Sequence, residues 1–327
     1  MDLNTIFSSE EFYKFIVFSS IIYIPLFFGW LARKRGYLDE KLSRSLTKWT
    51  IVFMESPIIL FSFWALDLSN LGKVFVVPLI AALLSCFCIL YGLFFSQRHG
   101  HNPLEKGAYV GCACFSNIGI TMGSFLAFLM LGERGLRFAV LYFAYFVPFF
   151  FTIGFALARR YSSEDVSLTK NIKSFFTDPV SFTPNLAVVL GSILNVCQVE
   201  QFTIIKPLNN TLVYTSTLIY SLAIGLTIHL GRSLYYLKEV FSLGMIKFIL
   251  SPVTGMGLAY IFGLFSIPDE IPLKVIFIQS CMPPAIFSLV LSRIFNLNQD
   301  LANACWLCLT FATLLEIPVI CFVLKIL

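Results

Sequence analysis

Two glutamates lie inside long apolar stretches of the sequence. Glu55 occurs in VFMESPII and Glu316 in LLEIPVI, and each is followed by a proline two positions later. An ionisable side chain within a membrane-spanning segment is costly and is by default a functional hypothesis. Either carboxyl group could carry a proton, or bind Na+ while ionised; a structural, hydrogen-bonded glutamate is the alternative for both. H+ and Na+ are therefore the candidate coupling ions, and no other cofactor is indicated.

A second set of candidates combines polar side chains with helix-breaking residues. The segment GAYVGCACFSNIGITMGSFLAFLMLGERGL is rich in glycine, and KVIFIQSCMPPAIFSLVLSRIF contains two adjacent prolines. Proline disfavours an unbroken helix, and a break frees backbone groups that only protein or a water-filled cavity can satisfy within a bilayer. The ends of the resulting half-helices would direct partial positive charge at a carboxylate. The predicted substrate-binding residues are Ser116, Asn117, Gly119, Gln279, Ser280, Pro283 and Pro284.

Metal, thiol and nucleotide chemistry has little support in the sequence. Cys305 and Cys308 form a CxxC pair, but an apolar helix lacks the electropositive, exposed setting that makes thiols reactive. The three histidines do not combine with the cysteines into a convincing metal site. No GxxxxGK[ST] run is present, and the acids in apolar segments are isolated rather than clustered as in membrane enzymes. We therefore expect no catalytic residue, no metal and no enzymatic activity.

The composition is that of an integral membrane protein. Of the 327 residues, 58% are hydrophobic and 13% are charged, against roughly 25% charged in a soluble domain. The mean hydropathy is +0.84. The net charge of +5 could suggest a polyanionic partner, but the basic residues fall in loops on one side of the predicted spans, so we expect a lipid bilayer and no nucleic acid as partners.

About ten segments are long and apolar enough to cross a bilayer as helices. The ten predicted spans are residues 12–32, 46–66, 73–96, 107–131, 137–158, 183–199, 209–231, 241–265, 273–295 and 301–325. The polar stretch ARRYSSEDVSLTKNIKSFFTD separates the first five from the last five. We expect an all-α integral membrane fold with two parts, residues 1–158 and 181–327, joined by a cytoplasmic linker at 159–180.

The distribution of lysine and arginine orients these spans. Alternating loops place sixteen of the 23 basic residues on one side and seven on the other, and the positive side is cytoplasmic. Lys247 and Arg293 are assigned to cytoplasmic helix ends in this count. Both termini are then expected outside. Short loops and the lack of a soluble domain favour a multi-pass protein of a bacterial inner membrane, with periplasmic termini.

The second half of the sequence weakly repeats the first. TIVFMESPIILFS from Thr50 aligns with TLVYTSTLIYSLA from Thr211, Pro148 aligns with Pro318, and spans four and nine pair at an offset near 167. A unit of five spans ends on the opposite side from its start, so its repeat must be inverted. Inverted repeats with paired broken helices are typical of secondary transporters, whose substrate and ion sites lie near the midplane.

At these two segments the sequence resembles the auxin efflux carrier family of permeases, in the bile/arsenite/riboflavin transporter superfamily. The similar pieces are SNIGITMGSFLAFLMLGERGL and CMPPAIFSLVLSRIFNLNQDLANA, supported by SPIIL in span two and TLIYSLAIGL in span seven. The resemblance implies ten spans in two inverted five-helix repeats, with a scaffold of spans one, two, six and seven and a mobile unit of the rest. It also implies that spans four and nine cross as broken helices.

By position, the resemblance makes Asn117 a substrate-facing amide, and Pro283 with Pro284 marks the second crossing helix. Span four has Gly119 and Gly123 where the family has a proline, which leaves open whether span four unwinds. The implied function is a secondary active transporter that moves a small organic anion, such as a mono- or dicarboxylate, by an elevator-like, ion-coupled or electrochemically driven alternating access. A bile-acid/sodium-symporter-like carrier of another solute, a membrane enzyme and a sensor are the alternatives. A homodimer is possible.

Overall fold

A computed structural model describes residues 9–66, 75–162, 179–228 and 233–327. The regular elements in these residues are all helices, with one isolated pair of strand-like residues. Most of the predicted linker, residues 163–178, lies outside the described residues. The chain is therefore an all-α protein over the ranges described.

Eleven helices follow one another in the described residues, and each predicted span overlaps one or two of them. Their bounds are α1 Ser9–Lys34, α2 Glu40–Trp64, α3 Val76–His99, α4 Pro103–Cys114, α5 Gly123–Tyr161, α6 Pro179–Val196, α7 Ile205–Gly225, α8 Leu237–Ile261, α9 Ile271–Ser280, α10 Ile286–Ile294 and α11 Gln299–Ile326. Predicted spans four and five correspond to two helical parts of α5 that meet at a kink at Gly132, whose φ of 69° and ψ of −158° are not helical.

Six of the described helices are long and apolar enough to cross a membrane, namely α1, α2, α3, α5, α8 and α11. These six helices are identified by their length and apolar composition. Many of their large apolar side chains are exposed on the surface of the protein. The chain is a multi-pass membrane protein. The count of ten spans remains a prediction.

Three of the long helices contain a wide, π-type turn. These turns are Ile51–Glu55 in α2, Phe150–Gly154 in α5 and Ile246–Leu250 in α8. In α2 and α8 a Ser-Pro pair follows the turn directly, at Pro57 and Pro252. Because proline has no N–H and clashes with the carbonyl one turn earlier, the helix widens there. Such turns often mark functional sites.

The helices pack mainly within two groups. The first group is α1, α2, α6 and α7, and the second is the remaining seven helices; fewer contacts join one group to the other. In the first group α1 and α7 approach closely, because a Cβ on Gly225 would lie 2.1 Å from the carbonyl oxygen of Leu26. Small residues allow this backbone contact between membrane helices. The first group is called the α1/α7 group, and the second is called the α3/α8 group.

Candidate functional site

Two breaks in the helices meet inside the α3/α8 group. Residues 115–122 separate α4 from α5, and residues 281–285 separate α9 from α10. The two segments pair as an antiparallel bridge between Ser116 and Pro284. The N–H of Asn117 donates to the carbonyl of Pro283 at 2.8 Å, and the N–H of Ala285 donates to the carbonyl of Phe115 at 2.9 Å. Each break therefore supplies partners for the other.

Side chains satisfy further carbonyl groups of residues 115–122. The carbonyl of Ile118 accepts from Ser124 Oγ at 2.8 Å and from Gln279 Nε2 at 3.1 Å. Across the boundary between the two helix groups, Thr217 Oγ1 in α7 donates to the carbonyl of Ile120 at 3.2 Å. Buried backbone groups need such partners in a membrane, so span four unwinds without any proline.

Glycine permits the tight return of this segment into α5. The N–H of Gly123 donates to the carbonyl of Asn117 at 3.0 Å. A Cβ at Gly123 would lie 2.1 Å from Gln279 Oε1 and 3.0 Å from the Cα of Ile118. Close packing against the α9 side chain therefore excludes a larger residue at position 123.

Lys247 lies beneath the bridge and is fully buried. Its Nζ donates to the carbonyl of Ala113 at 2.6 Å, at the end of α4, and to Ser116 Oγ at 2.9 Å. No ion pair of Lys247 with a carboxylate occurs among the described residues. The ammonium group thus holds the end of α4 and the bridge residue together, and it brings a basic group to the middle of the protein.

A cavity of about 160 Å³ adjoins the other side of the bridge. It is lined by Ser116, Asn117 and Gly119 of the first break and by Glu55 of α2. Five phenylalanines also line it: Phe143, Phe146, Phe150, Phe151 and Phe287. The cavity extends past Thr47 and Val180, towards the ends of helices where α2 and α6 begin. It is thus a mainly apolar chamber with its polar groups gathered at the bridge and at Glu55.

Glu55 faces this cavity from the opposite helix group. It is the last residue of the wide turn in α2 and accepts a hydrogen bond from the hydroxyl of Tyr220 in α7. The cavity is therefore bounded by the bridge on one side, with Lys247 behind it, and by the Glu55–Tyr220 pair on the other.

The amide of Asn117 has a free donor towards the cavity. Thr121 Oγ1 donates to Asn117 Oδ1, while no described residue accepts from Asn117 Nδ2. Asn117 is 6% exposed and lines the cavity. At the start of α10, Ile286 and Phe287 also line it, and first-turn N–H groups have no partner within their own helix. The Asn117 amide and the first turn of α10 therefore both border the chamber.

Four of the predicted binding residues support the bridge instead of lining the cavity. Gln279 is fully buried and donates to Ile118, and Ser280 donates to Phe277 within its own helix at 2.7 Å. Pro283 and Pro284 are buried and contribute backbone to the bridge. None of these four residues lines the cavity in this structure, and their role in substrate binding stays a prediction.

Glu316 lies apart from the cavity. It belongs to α11, does not line the chamber, and makes no hydrogen bond or ion pair to any described residue. The structure therefore places Glu55 in the lining of the cavity and Glu316 outside it.

Lys247 corrects the orientation count as well. It lies in the wide turn inside α8 rather than at a cytoplasmic helix end. Fifteen of the sixteen basic residues then remain assigned to the cytoplasmic side. Its position inside the apolar segment 241–265 was the signal that could have identified it. Tyr220 and the five phenylalanines had no comparable signal, since aromatic residues are frequent throughout this sequence.

Comparisons with known proteins give one informative similarity. No protein-family model matches the chain. The chain is 20% identical over 300 residues to a protein of Methanothermobacter thermautotrophicus described as an uncharacterized transporter, and the match covers 91% of this chain and 94% of that protein. The similarity thus extends over nearly the whole of both chains.

Proposed function

We propose that this protein is a secondary active transporter that carries a small organic anion by alternating access. The observation that carries the proposal is the paired break of two helices beside a chamber inside a multi-pass membrane protein. Broken helices that meet at the midplane are the binding architecture of many secondary transporters. The full-length similarity to an uncharacterized transporter supports it. In this proposal the cargo crosses the membrane chemically unchanged, so no enzymatic activity is included.

The chamber favours an anion with a single charged end. The N–H groups at the start of α10, the Asn117 amide and the buried Lys247 together provide donors and positive potential at the bridge. The five phenylalanines surround the remaining space. A monocarboxylate with an apolar body matches this distribution better than a dicarboxylate, which would place its second charge among the aromatic rings.

The two helix groups suggest the moving parts. Bridge and chamber donors belong to the α3/α8 group, whereas Glu55 and Tyr220 belong to the α1/α7 group. The chamber extends towards the side where α2 and α6 begin. Two polar contacts join the groups on the other side: Glu11 with Lys325 at 2.7 Å, and Arg137 Nη1 with the carbonyl of Ala65 at 2.8 Å. An elevator-like motion would break these contacts and carry the bridge past Glu55.

The proposal includes the topology and the family. Residues 1–158 and 181–327 form inverted repeats of five spans joined by the linker 159–180, with both termini on the periplasmic side of a bacterial inner membrane. The pairing of Ser116 with Pro284 supports the repeat, because these residues are separated by nearly the offset that aligns spans four and nine. The auxin efflux carrier family remains the proposed relationship, and a sodium-coupled carrier of another solute is the alternative.

Counterflow in liposomes tests the function. The purified protein should exchange labelled monocarboxylates across the bilayer faster than dicarboxylates, and the bound anion should raise the midpoint of thermal unfolding by mass action. Asn117→Ala should abolish exchange, whereas Gln97→Ala, an exposed amide at the end of α3, should not. Binding without exchange would favour a sensor. Absence of both binding and exchange over a broad carboxylate panel, with folded protein, would contradict the proposal.

A further inference from the structure

A second cavity lies on the surface of the α3/α8 group, well away from the bridge. It has a volume of about 760 Å³ and is formed by the last turns of α3 and the first turns of α8. We call it the α3–α8 groove. Its lining includes Arg98 and Lys238 together with Phe94, Leu237 and Phe241. It therefore combines two cations with large apolar side chains.

The two cations lack anionic partners. Neither Arg98 nor Lys238 forms an ion pair within the described residues. The Arg98 guanidinium lies over the Phe94 ring, 5.2 Å from its centroid. Glu239, the acidic residue next to Lys238, lies instead 3.7 Å from His101 Nε2. The groove therefore presents positive charge that nothing on its own walls neutralises.

The apolar part of the groove faces outward. Phe94, Leu237 and Phe241 are 51%, 53% and 74% exposed. Phe94 lies one turn to the membrane side of Arg98 along α3, and Phe241 lies about one turn to the membrane side of Lys238 along α8, while Leu237 is the first residue of α8. Acyl chains would cover these side chains in a bilayer, while a headgroup would reach the cations at the helix ends.

We propose that the α3–α8 groove binds one anionic phospholipid, with its phosphate between Arg98 and Lys238 and its acyl chains along Phe94, Leu237 and Phe241. Free phosphate would use the cations but would leave the apolar wall exposed. A lipid requires cations at the end of an apolar surface, because its headgroup lies at the end of its acyl chains. A protein partner has no such requirement. The inference stands independently of the cargo that the protein carries.

Lipid titration of the purified full-length protein tests the site. Phosphatidylglycerol, added to the protein in detergent, should raise the midpoint of thermal unfolding, whereas phosphatidylcholine and inorganic phosphate should not. Native mass spectrometry should find phosphatidylglycerol retained on the protein at one molecule per chain. Each basic residue near an anionic lipid contributes about fivefold in affinity. The double variant Arg98→Gln/Lys238→Gln should therefore bind about thirtyfold more weakly.

The matched control is Arg35→Gln/Lys41→Gln, which removes two exposed cations after α1 and near the start of α2; its affinity should stay within about twofold of wild type. Equal losses in both double variants would mean general surface attraction and would overturn the site. Equal stabilisation by inorganic phosphate would overturn the lipid as occupant, and so would a second copy of the chain bound through the groove. If the variant does not fold, equal retention of phosphatidylcholine and phosphatidylglycerol by the wild type would likewise overturn the site.

Discussion

The N–H of Asn117 donates to the carbonyl of Pro283 at 2.8 Å, although the two residues lie in opposite halves of the chain. This bond and its neighbour from Ala285 to Phe115 replace helix bonds that both breaks lose. Substitutions other than proline leave these backbone groups in place. They can remove the groups that hold the segments in place, and the first two predictions concern such groups.

Lys247→Met should lower both stability and transport. The methionine keeps the apolar stem but leaves the carbonyl of Ala113 and the hydroxyl of Ser116 without the ammonium donor. A buried acceptor left without its donor costs about 1–3 kcal/mol, so the midpoint of thermal unfolding should fall clearly. Lys41→Met, at an exposed position, is the control. Equal midpoints for the two variants would show that Lys247 does not support the bridge.

Gly123→Ala should destabilise the protein by about 1–3 kcal/mol, the usual cost of overpacking a close contact. The added methyl group would meet Gln279 Oε1 and displace the residues that satisfy Ile118. Gly257→Ala is the matched control, because a Cβ at that helical position meets no atom within 4 Å, and it should be neutral or slightly stabilising. Thermal unfolding in one detergent compares the two, and similar losses would rule out the tight packing at Gly123.

Glu55→Gln should change the pH or Na+ dependence of flux more than it changes expression. The carboxyl group faces the chamber and accepts from Tyr220. Tyr220→Phe should shift the same dependence in the same assay, because the Glu55 carboxyl group then loses its hydrogen-bond donor. Flux is measured in liposomes under separate proton and sodium gradients.

Glu316→Gln provides the comparison for Glu55, since it removes the other membrane carboxylate without touching the chamber. We expect it to leave the ion dependence close to that of wild type. The opposite pattern, with Glu316→Gln altered and Glu55→Gln normal, would transfer the coupling role to Glu316.

Stability should fall as the pH is lowered through 6.5, in part because of His101. Its side chain is 4% exposed, and burial together with neighbouring His99 holds its pKa below the usual value of about 6.5. Below pH 6.5 the unfolded chain binds a proton that folded His101 does not, until the pH reaches the lower native pKa. His101→Gln should flatten the pH dependence of the unfolding midpoint across this window. An unchanged slope would mean that His101 titrates normally.

The sequence predicted where the helices break better than what faces the cavity. Pro283 and Pro284 identify one break by chemistry, since two prolines cannot continue a helix. The other break depends on partners from distant segments, such as Gln279 and Thr217, which no local pattern reveals. The repeat offset and the family resemblance were the sequence signals that paired the two breaks.

The direction in which each side chain points was much harder to predict. Gln279 and Ser280 are polar residues beside the breaking prolines, yet they point behind the bridge. Lys247 was predicted at a cytoplasmic helix end, whereas it lies in the wide turn inside α8. Rotation of a helix about its axis depends on tertiary packing, and an apolar helix in lipid has no polar face to reveal that rotation.

The bridge between the two breaks has a consequence for biosynthesis. Residues 115–122 enter the membrane while α9 and α10 are still to be made, so the partners of Asn117 and Phe115 arrive only near the end of translation. Until then the first half contains backbone groups that lipid cannot satisfy. The nascent chain must therefore keep this segment hydrated or sheltered. The amino-terminal half reaches its final structure only after the carboxy-terminal helices have been made.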